Sequence, residues 1–208
     1  LPMISQSQIS NSRGFTYPKA LRSLMRQDPE AIMIGEIRDA ETAAIAVQAG
    51  LTGHMIFSTI HSDSTAGVYA RLTNMDIEPF LLASSITGVL GLRLLRTICP
   101  SCKIQTQPNS EYLSLLPDGF AEENEFYTGT GCDSCSQTGY LGRVAATELL
   151  DSSEAVREGV IQKLRTSKLH DLAIEQGMTT LWQNSMAKVQ RGITSLEEVI
   201  RVISINQL

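Results

Sequence analysis

The chain has 208 residues, of which 42% are hydrophobic and 19% charged, so it is long enough to bury a core in one or two domains. Its formal net charge of −5 provides no electrostatic basis for binding nucleic acid. The longest uncharged apolar stretch, Pro79 to Leu92, is too short to cross a bilayer, and no secretory signal opens the chain, so we expect a cytoplasmic protein without a transmembrane segment.

A βαβ unit is predicted near the start of the chain, after an amphipathic helix over residues 15–27. The apolar run Ala31–Ile34 does not alternate with polar residues, which predicts a strand buried on both faces by helices. Asp39 can cap the next helix, which we expect to end at Gly50. A second apolar strand follows over residues 55–60, so parallel pairing with a right-handed crossover is expected.

Glu36, Thr59 and His61 come directly after these two strands. Because ligands of parallel sheets gather outside the carboxyl ends of the strands, we expect the three side chains at one edge. A carboxylate beside a histidine is suited to orienting or deprotonating a water that attacks phosphorus. Glu36 and His61 are therefore the candidate catalytic residues, although either one alone would more often be a solvated surface group.

Arg38, Thr59 and His54 are the residues expected to support a nucleotide site. Arg38 is the candidate to orient the catalytic carboxylate, and the alternative is a surface ion pair with Asp39 or Glu41. His54 lies at the other end of the second strand, where seven residues at roughly 3.3 Å each separate it from His61 by about 23 Å. The two histidines should not touch one ligand, and His61 is preferred.

The middle of the chain continues the α/β pattern, and the tail is helical from Asp151 onward. The expected elements are helices over residues 64–74 and 77–85 and strands over residues 88–98 and 144–150. Apolar residues of the tail recur at helical spacing, so Trp182 and Met186 are expected in a core rather than in a ligand site.

All four cysteines fall in two C-x-x-C pairs, Cys99 with Cys102 and Cys132 with Cys135, with 29 residues between the pairs. Four thiolates suffice for a closed tetrahedral zinc site with a structural role. The spacer is longer than is usual for such sites, so we expect an inserted hairpin or loop around residues 109–130. A redox pair and structural disulfides are the alternatives, and a reducing cytosol disfavours the disulfides.

Several stretches spread over nearly the whole chain carry a family resemblance. They are LRSLMRQDPEAIMIGEIRD, IMIGEIRDAETAAIAVQAGLTGH followed by STIHSD, RLTNMDIEPFLLASSITGVLGLRLLRTICPSC, and GYLGRVAATELL. Together they resemble the secretion ATPase superfamily, the motors of type II secretion and type IV pilus assembly. The resemblance implies that Glu36 matches the Walker B glutamate and that His54 and His61 match the histidine box. Gly35 stands where a common Walker B motif has its magnesium-associated Asp, as in the family pattern.

The resemblance also implies an α/β fold with part of a RecA-like P-loop NTPase core, which uses ATP and Mg²⁺. It implies a homo-hexamer that works with secretion or pilus platform proteins of the inner membrane, located in the cytoplasm and peripheral to that membrane. In this family the four-cysteine element marks assembly and secretion motors, whereas the pilus-retraction relatives lack it.

The sequence contains no G-x-x-x-x-G-K-[ST] phosphate loop, which is the usual anchor for a triphosphate. The resembling family carries that loop, an acidic box and arginine fingers upstream. We therefore expect a C-terminal portion of a longer motor that does not hydrolyse ATP by itself. The expected domains are the C-terminal half of the ATPase core over residues 1–98, a zinc-binding insertion over 99–143, and a last strand with a helical bundle over 144–208.

Two other functions remain open from the sequence. The first is a zinc-stapled binding or assembly module without chemistry, in which the α/β part is only a scaffold. The second is a zinc thiol oxidoreductase that uses the C-x-x-C pairs directly.

Overall fold

The computed structural model describes residues 4–114, 116 and 124–203, so part of the predicted insertion, residues 115 and 117–123, lies outside the described residues. The described α-helices are α1 (Tyr17–Leu24), α2 (Ala40–Leu51), α3 (Gly67–Thr73), α4 (Pro79–Ser85), α5 (Ser110–Leu113), α6 (Glu154–Ile161), α7 (Thr166–Glu175), α8 (Leu181–Gln190) and α9 (Leu196–Val202). The described β-strands are β1 (Ala31–Ile34), β2 (Met55–Ser58), β3 (Gly88–Ile98), β4 (Lys103–Thr106), β5 (Phe126–Gly129) and β6 (Tyr140–Asp151).

The chain forms two compact units. The first contains residues 1–89 and 150–176, and the second contains residues 90–149 and 177–208. The tail helices are divided between them, with α6 and α7 in the first unit and α8 and α9 in the second. The domain boundaries expected after residues 98 and 143 stay a prediction.

The first unit contains the predicted βαβ arrangement. Strands β1 and β2 pair in parallel, with Ala31 opposite Met55 and Ile34 opposite Ser58, and α2 connects them. Asp39 caps α2 as predicted, since its carboxylate accepts a hydrogen bond from the Thr42 amide at 2.8 Å. This confirms the α/β class and the parallel pairing that the sequence predicts.

Two details of this unit differ from the sequence prediction. Gly50 lies inside α2, and Gly53, whose φ is +95°, takes the left-handed conformation that follows the helix end. The prediction that β1 is buried on both faces is wrong: Ile32 and Ile34 are buried beside α1 and α2, whereas the Met33 side chain is 75% exposed. Among the described residues, helices cover one face of this short sheet.

Helix α4 is the centre of the helical packing in the first unit, and α7 contacts α6. Helix α4 contacts α2, α3 and α6, and its Leu82 is fully buried. Pro79 lies in the first turn of α4, where its missing amide hydrogen costs no helical bond. The hydroxyls of Tyr69 on α3 and Ser152 lie 2.7 Å apart and share a buried hydrogen bond.

The second unit is built on a sheet of β3 and β6 that is joined to the helices α8 and α9 by an apolar core. The core combines residues of both strands and both helices, among them Leu95, Ala146, Val189 and Val199. Met186 is buried in this core, and Trp182 packs against it, which confirms the predicted core role of both residues.

An antiparallel hairpin, β4 with β5, lies between β3 and β6 in the chain. It supplies the inserted hairpin that the long cysteine spacer predicts. No helix within the described residues combines the length and the apolar character that crossing a bilayer requires.

Candidate functional site

The predicted catalytic edge lies where β1 and β2 end. Ile34 and Ser58 are register partners at the last positions of the two parallel strands. The segments Gly35–Glu36 and Thr59–His61 therefore leave the sheet at the same edge, as expected from the sequence. His61 is exposed to solvent there, three residues beyond β2.

Thr59 joins the two segments. Its hydroxyl donates a hydrogen bond to the carbonyl of Gly35 at 2.7 Å, and its own carbonyl accepts one from the amide of Ile37 at 2.9 Å. These bonds bracket Glu36 on both sides and limit how far its backbone can move. Strand β2 ends at Ser58, two residues before the end at residue 60 that the sequence predicts.

The Glu36 carboxylate contacts the guanidinium of Arg38, with 2.5 Å between Oε2 and Nε. The Glu36 side chain is 23% exposed, so most of it is shielded from solvent but water can still reach it. The alternative partners of Arg38 are engaged elsewhere: Asp39 caps α2, and Glu41 pairs with Arg22 at 2.8 Å. Arg38 can therefore hold this carboxylate in one orientation, and its part in a reaction stays a prediction.

The structure does not bring His54 to this edge. His54 precedes β2, and its Nδ1 lies 3.1 Å from the Thr52 hydroxyl and 3.3 Å from the carbonyl of Ala49, in the turn that follows α2. The two histidines lie at opposite ends of β2, as the strand length predicts. A supporting role of His54 at a nucleotide site stays a prediction.

The tyrosine at the start of α1 approaches this edge in a way that sequence reasoning missed. A Cβ placed on Gly35 would lie 2.8 Å from the Tyr17 hydroxyl, so that hydroxyl lies directly against the segment before Glu36. The approach depends on how α1 packs across the sheet. No local sequence signal could have predicted it.

The four cysteine sulfurs form a second candidate site in the other unit. The Sγ atoms of Cys99, Cys102, Cys132 and Cys135 all lie within 4.8 Å of one another. Three of the separations are 3.8 Å (Cys99 to Cys132), 3.9 Å (Cys102 to Cys135) and 3.7 Å (Cys132 to Cys135). A tetrahedral zinc with Zn–S bonds of about 2.3 Å requires sulfur separations of about 3.8 Å, so the donor set fits such an ion.

Local geometry favours the thiolate form at Cys135. The amides of Cys132 and Gly139 both donate to the sulfur of Cys135 at 3.2 Å. Although burial raises the pKa of this thiol, the two backbone donors outweigh burial and hold the pKa at about 6. Burial raises the pKa of Cys102 to about 11.

Gly139 is a residue of this site that sequence reasoning missed. It has a φ of +76°, which favours glycine, and it follows the second C-x-x-C pair by four residues. The presence of a glycine four residues after the second C-x-x-C pair was the sequence feature that could have indicated its role. The four cysteines are all free, so the structure gives no support to the disulfide alternative.

The comparisons with known proteins agree along nearly the whole chain. A family model described as "Type II/IV secretion system protein" matches residues 1–201. The type IV pilus assembly ATPase PilB of Thermus thermophilus is 41% identical over 202 residues, which are 96% of this chain and 23% of that protein. The type II secretion system ATPase E of Vibrio cholerae is 42% identical over 199 residues, again 96% of this chain and 39% of that protein. The chain thus spans well under half the length of these relatives.

Solved structures show the same fold at lower sequence identity. The crystal structure of the pilus retraction motor PilT with bound ADP matches 89% of this chain and 43% of its own, with a TM-score of 0.62 and 23% identity. The ATPase DotB of Legionella pneumophila matches 92% of this chain and 43% of its own, with a TM-score of 0.62 and 21% identity.

Proposed function

The chain belongs to the type II/IV secretion system protein family, and from this we propose that it carries the water-activating half of a motor ATPase. The motor powers type II protein secretion or type IV pilus assembly by ATP hydrolysis. One observation carries the proposal: Glu36 and His61 leave adjacent parallel strands at the same edge, and Thr59 ties their backbones together.

In this proposal Glu36 is the Walker B glutamate. Its carboxylate accepts a hydrogen bond from the attacking water and draws the water proton away as the oxygen approaches phosphorus. Arg38 holds the carboxylate in place through its 2.5 Å contact. Thr59 keeps the backbone on both sides of Glu36 fixed, so the carboxylate needs little reorganisation during the reaction.

His61 is proposed to stabilise the charge that develops on the transferring phosphoryl group. It is exposed at the same edge, where it is accessible to a triphosphate that another part of the full-length protein binds. The 208 residues contain no phosphate loop, so we propose that another part of the full-length protein anchors ATP and its Mg²⁺. The isolated chain is then expected to lack magnesium-dependent ATPase activity, and measurable phosphate release from it would contradict this.

The assembly is proposed to be a homo-hexamer on the cytoplasmic side of the inner membrane, peripheral to it and in contact with secretion or pilus platform proteins. Relatives that are 41–42% identical bear the names of a pilus assembly ATPase and a type II secretion ATPase, which supports this setting. The four cysteines are proposed to hold a structural zinc. Their four sulfurs would occupy every position of a tetrahedral site, so no water could bind the metal.

Replacing Glu36 with Gln in the full-length protein tests the catalytic proposal. The amide keeps the size and hydrogen-bonding reach of the side chain but is a poor base. Turnover should therefore fall by about 100-fold or more, whereas the affinity for ATP should be retained. Phosphate release and binding of a fluorescent ATP analogue measure the two quantities separately.

Glu41→Gln is the matched control, because it makes the same chemical change on an exposed residue of α2 that pairs with Arg22 at the surface. It should leave turnover unchanged. If Glu36→Gln hydrolyses ATP at the rate of the unmodified protein, the motor mechanism fails. The cysteine cluster would then favour the second candidate, a non-catalytic module that a zinc ion holds together.

A further inference from the structure

The turn between α8 and α9, residues 191–195, lies against chain segments that lead directly into the cysteine cluster. All of these residues belong to the second compact unit. Three independent contacts connect the turn to the cluster, and each one involves a residue next to a cysteine or next to a direct neighbour of a cysteine sulfur.

The first contact comes from the end of β3. The amide of Ile98, the residue before Cys99, donates to the carbonyl of Ile193 at 2.9 Å. Two residues earlier, the carbonyl of Arg96 accepts a hydrogen bond from the hydroxyl of Thr194 at 2.8 Å. The turn therefore continues the hydrogen bonding of the strand that delivers the first cysteine.

The second contact passes through Gly139 and Tyr140. Gly139 donates its amide to the sulfur of Cys135 and accepts the amide of Cys99 on its carbonyl at 3.0 Å. The adjacent Tyr140 shares a 2.7 Å hydrogen bond between its hydroxyl and that of Ser195. Ser195 in turn caps α9, because its hydroxyl accepts the amide of Glu198 at 3.3 Å.

The third contact involves the hairpin. Lys103 follows Cys102 and places its ammonium 4.2 Å from the centre of the Tyr127 ring. A Cβ on Gly192 would lie 2.8 Å from Cδ2 of Tyr127 and 3.0 Å from Cε of Lys103, so the turn backbone lies directly on this pair. The absence of a side chain at Gly192 is what permits the approach.

We propose that the binding of a thiophilic divalent cation at the four cysteines is energetically coupled to the seating of α9. By seating we mean the packing of residues 191–195 and the start of α9 against the segments that carry the cysteines. The cysteine sulfurs form a small buried cluster of their own. Without an ion, the segments at Cys99, Cys102 and Gly139 are held by a few hydrogen bonds, among them the one from the Cys99 amide to the Gly139 carbonyl. With the ion bound, those segments become a rigid platform that holds residues 191–195 and, through Ser195, the start of α9.

The coupling must act in both directions. If the ion stabilises the seated turn, then weakening a contact between the turn and the platform must also weaken ion binding. The inference rests on the structural-metal part of the proposed function and is independent of ATP hydrolysis. An intact cluster that binds zinc without affecting α9 would overturn this inference alone.

Hydrogen exchange in the full-length protein tests the first direction, with zinc bound and after removal of zinc by a chelator. Amides of residues 193–203 should exchange about ten-fold faster or more without zinc, whereas amides of α7, in the other unit, should keep their rates. The proposal is overturned if residues 193–203 exchange equally in both states. It is also overturned if α2 and α7 accelerate to the same extent, because that would report general unfolding.

The zinc affinity of Tyr140→Phe tests the second direction by competition with a chromophoric chelator. This variant removes only the hydroxyl that bonds to Ser195, so it should bind zinc about five-fold more weakly. Tyr69→Phe is the matched control, since it removes a hydroxyl that makes an equally short bond to Ser152 in the first unit, and it should leave the affinity unchanged. Equal affinities of Tyr140→Phe and Tyr69→Phe would refute the coupling.

Discussion

At the scale of single residues, the buried carboxylate of Glu198 connects α9 to β3 through Arg96. The side chain is almost fully buried and accepts hydrogen bonds from the amide and guanidinium of Arg96 and from the guanidinium of Arg201. Burial by itself would raise the pKa of this carboxyl, but the two arginines outweigh it and hold the pKa at about 2. The ring of Tyr140 lies 4.1 Å below the Arg96 guanidinium and completes the group.

The low pKa of Glu198 predicts a stability that depends on pH. A carboxyl whose pKa is lower in the folded state stabilises the fold above its unfolded pKa of about 4.5, and it loses that contribution as the pH falls toward 2. Glu198→Gln should lower the free energy of unfolding by about 3 kcal/mol at neutral pH, because it leaves two arginines without their counter-charge. Urea unfolding followed by the fluorescence of Trp182, the single Trp of the chain, measures this between pH 7 and pH 2.5.

Glu197→Gln is the control for this series, since it makes the same change in the same helical turn at a less buried position. It should lower stability only slightly, and its pH profile should follow that of the unmodified chain. In Glu198→Gln the loss of stability between pH 4.5 and pH 2.5 should be smaller than in the unmodified chain. Parallel profiles in the two proteins would contradict the assignment.

At the scale of elements, the cysteine cluster depends on a close crossing of two backbones. Gly129 ends β5 and lies against Gly139, so that a Cβ on Gly129 would overlap the Gly139 carbonyl and lie 2.7 Å from its carbon. A Cβ on Gly139 would overlap the carbonyl of Gly129 in the same way. Only glycine at both positions lets the hairpin approach the second C-x-x-C pair closely enough to bring all four sulfurs together.

Gly129→Ala should therefore damage the proposed metal site without changing a cysteine. The added methyl group must push β5 away from residue 139, at a cost of about 1–3 kcal/mol, and zinc affinity should fall with it. Gly50→Ala is the control, because its Cβ would meet the Cβ of Ser85 at an ordinary 3.5 Å inside a helix. Competition with a chelator measures the zinc affinity of both variants. An unchanged affinity in Gly129→Ala would show that the close approach of Gly129 to Gly139 is not required for zinc binding.

At the scale of the whole molecule, the two candidate sites lie in different compact units. Glu36 and His61 belong to the first unit, and the four cysteines belong to the second. The edge at Glu36 and His61 is open to solvent, whereas the cluster has three of its four cysteines buried. Open and closed sites of this kind suit a reaction at the first and a structural ion at the second.

Thiol titration on the protein as isolated separates a structural ion from a redox function. In the presence of zinc the four thiols should react slowly, because the metal holds them as buried ligands; after chelation all four should react. Denatured protein provides the control for the total number of thiols. Rapid reaction of one C-x-x-C pair while zinc remains bound would support the thiol oxidoreductase instead.

The sequence by itself determined the features that arise from local patterns. The order of strand, helix and strand, the cap at Asp39, the pairing of cysteines in two C-x-x-C motifs and the inserted hairpin all follow from residues close together in the chain. The motif resemblance to the secretion ATPases is confirmed for the same reason, since it rests on contiguous stretches. The shared edge of Glu36 and His61 needed only the additional rule that adjacent parallel strands end together.

Only the tertiary structure decided which distant residues meet. The approach of Tyr17 to Gly35, the contact of Arg96 with Glu198 and the crossing of the two glycines join positions that no periodicity connects. The exposed face of β1 was also missed, because an apolar strand is equally compatible with one or two covering layers. Local chemistry specifies elements and motifs, whereas contacts between them depend on how whole faces pack, and that information is spread over the entire chain.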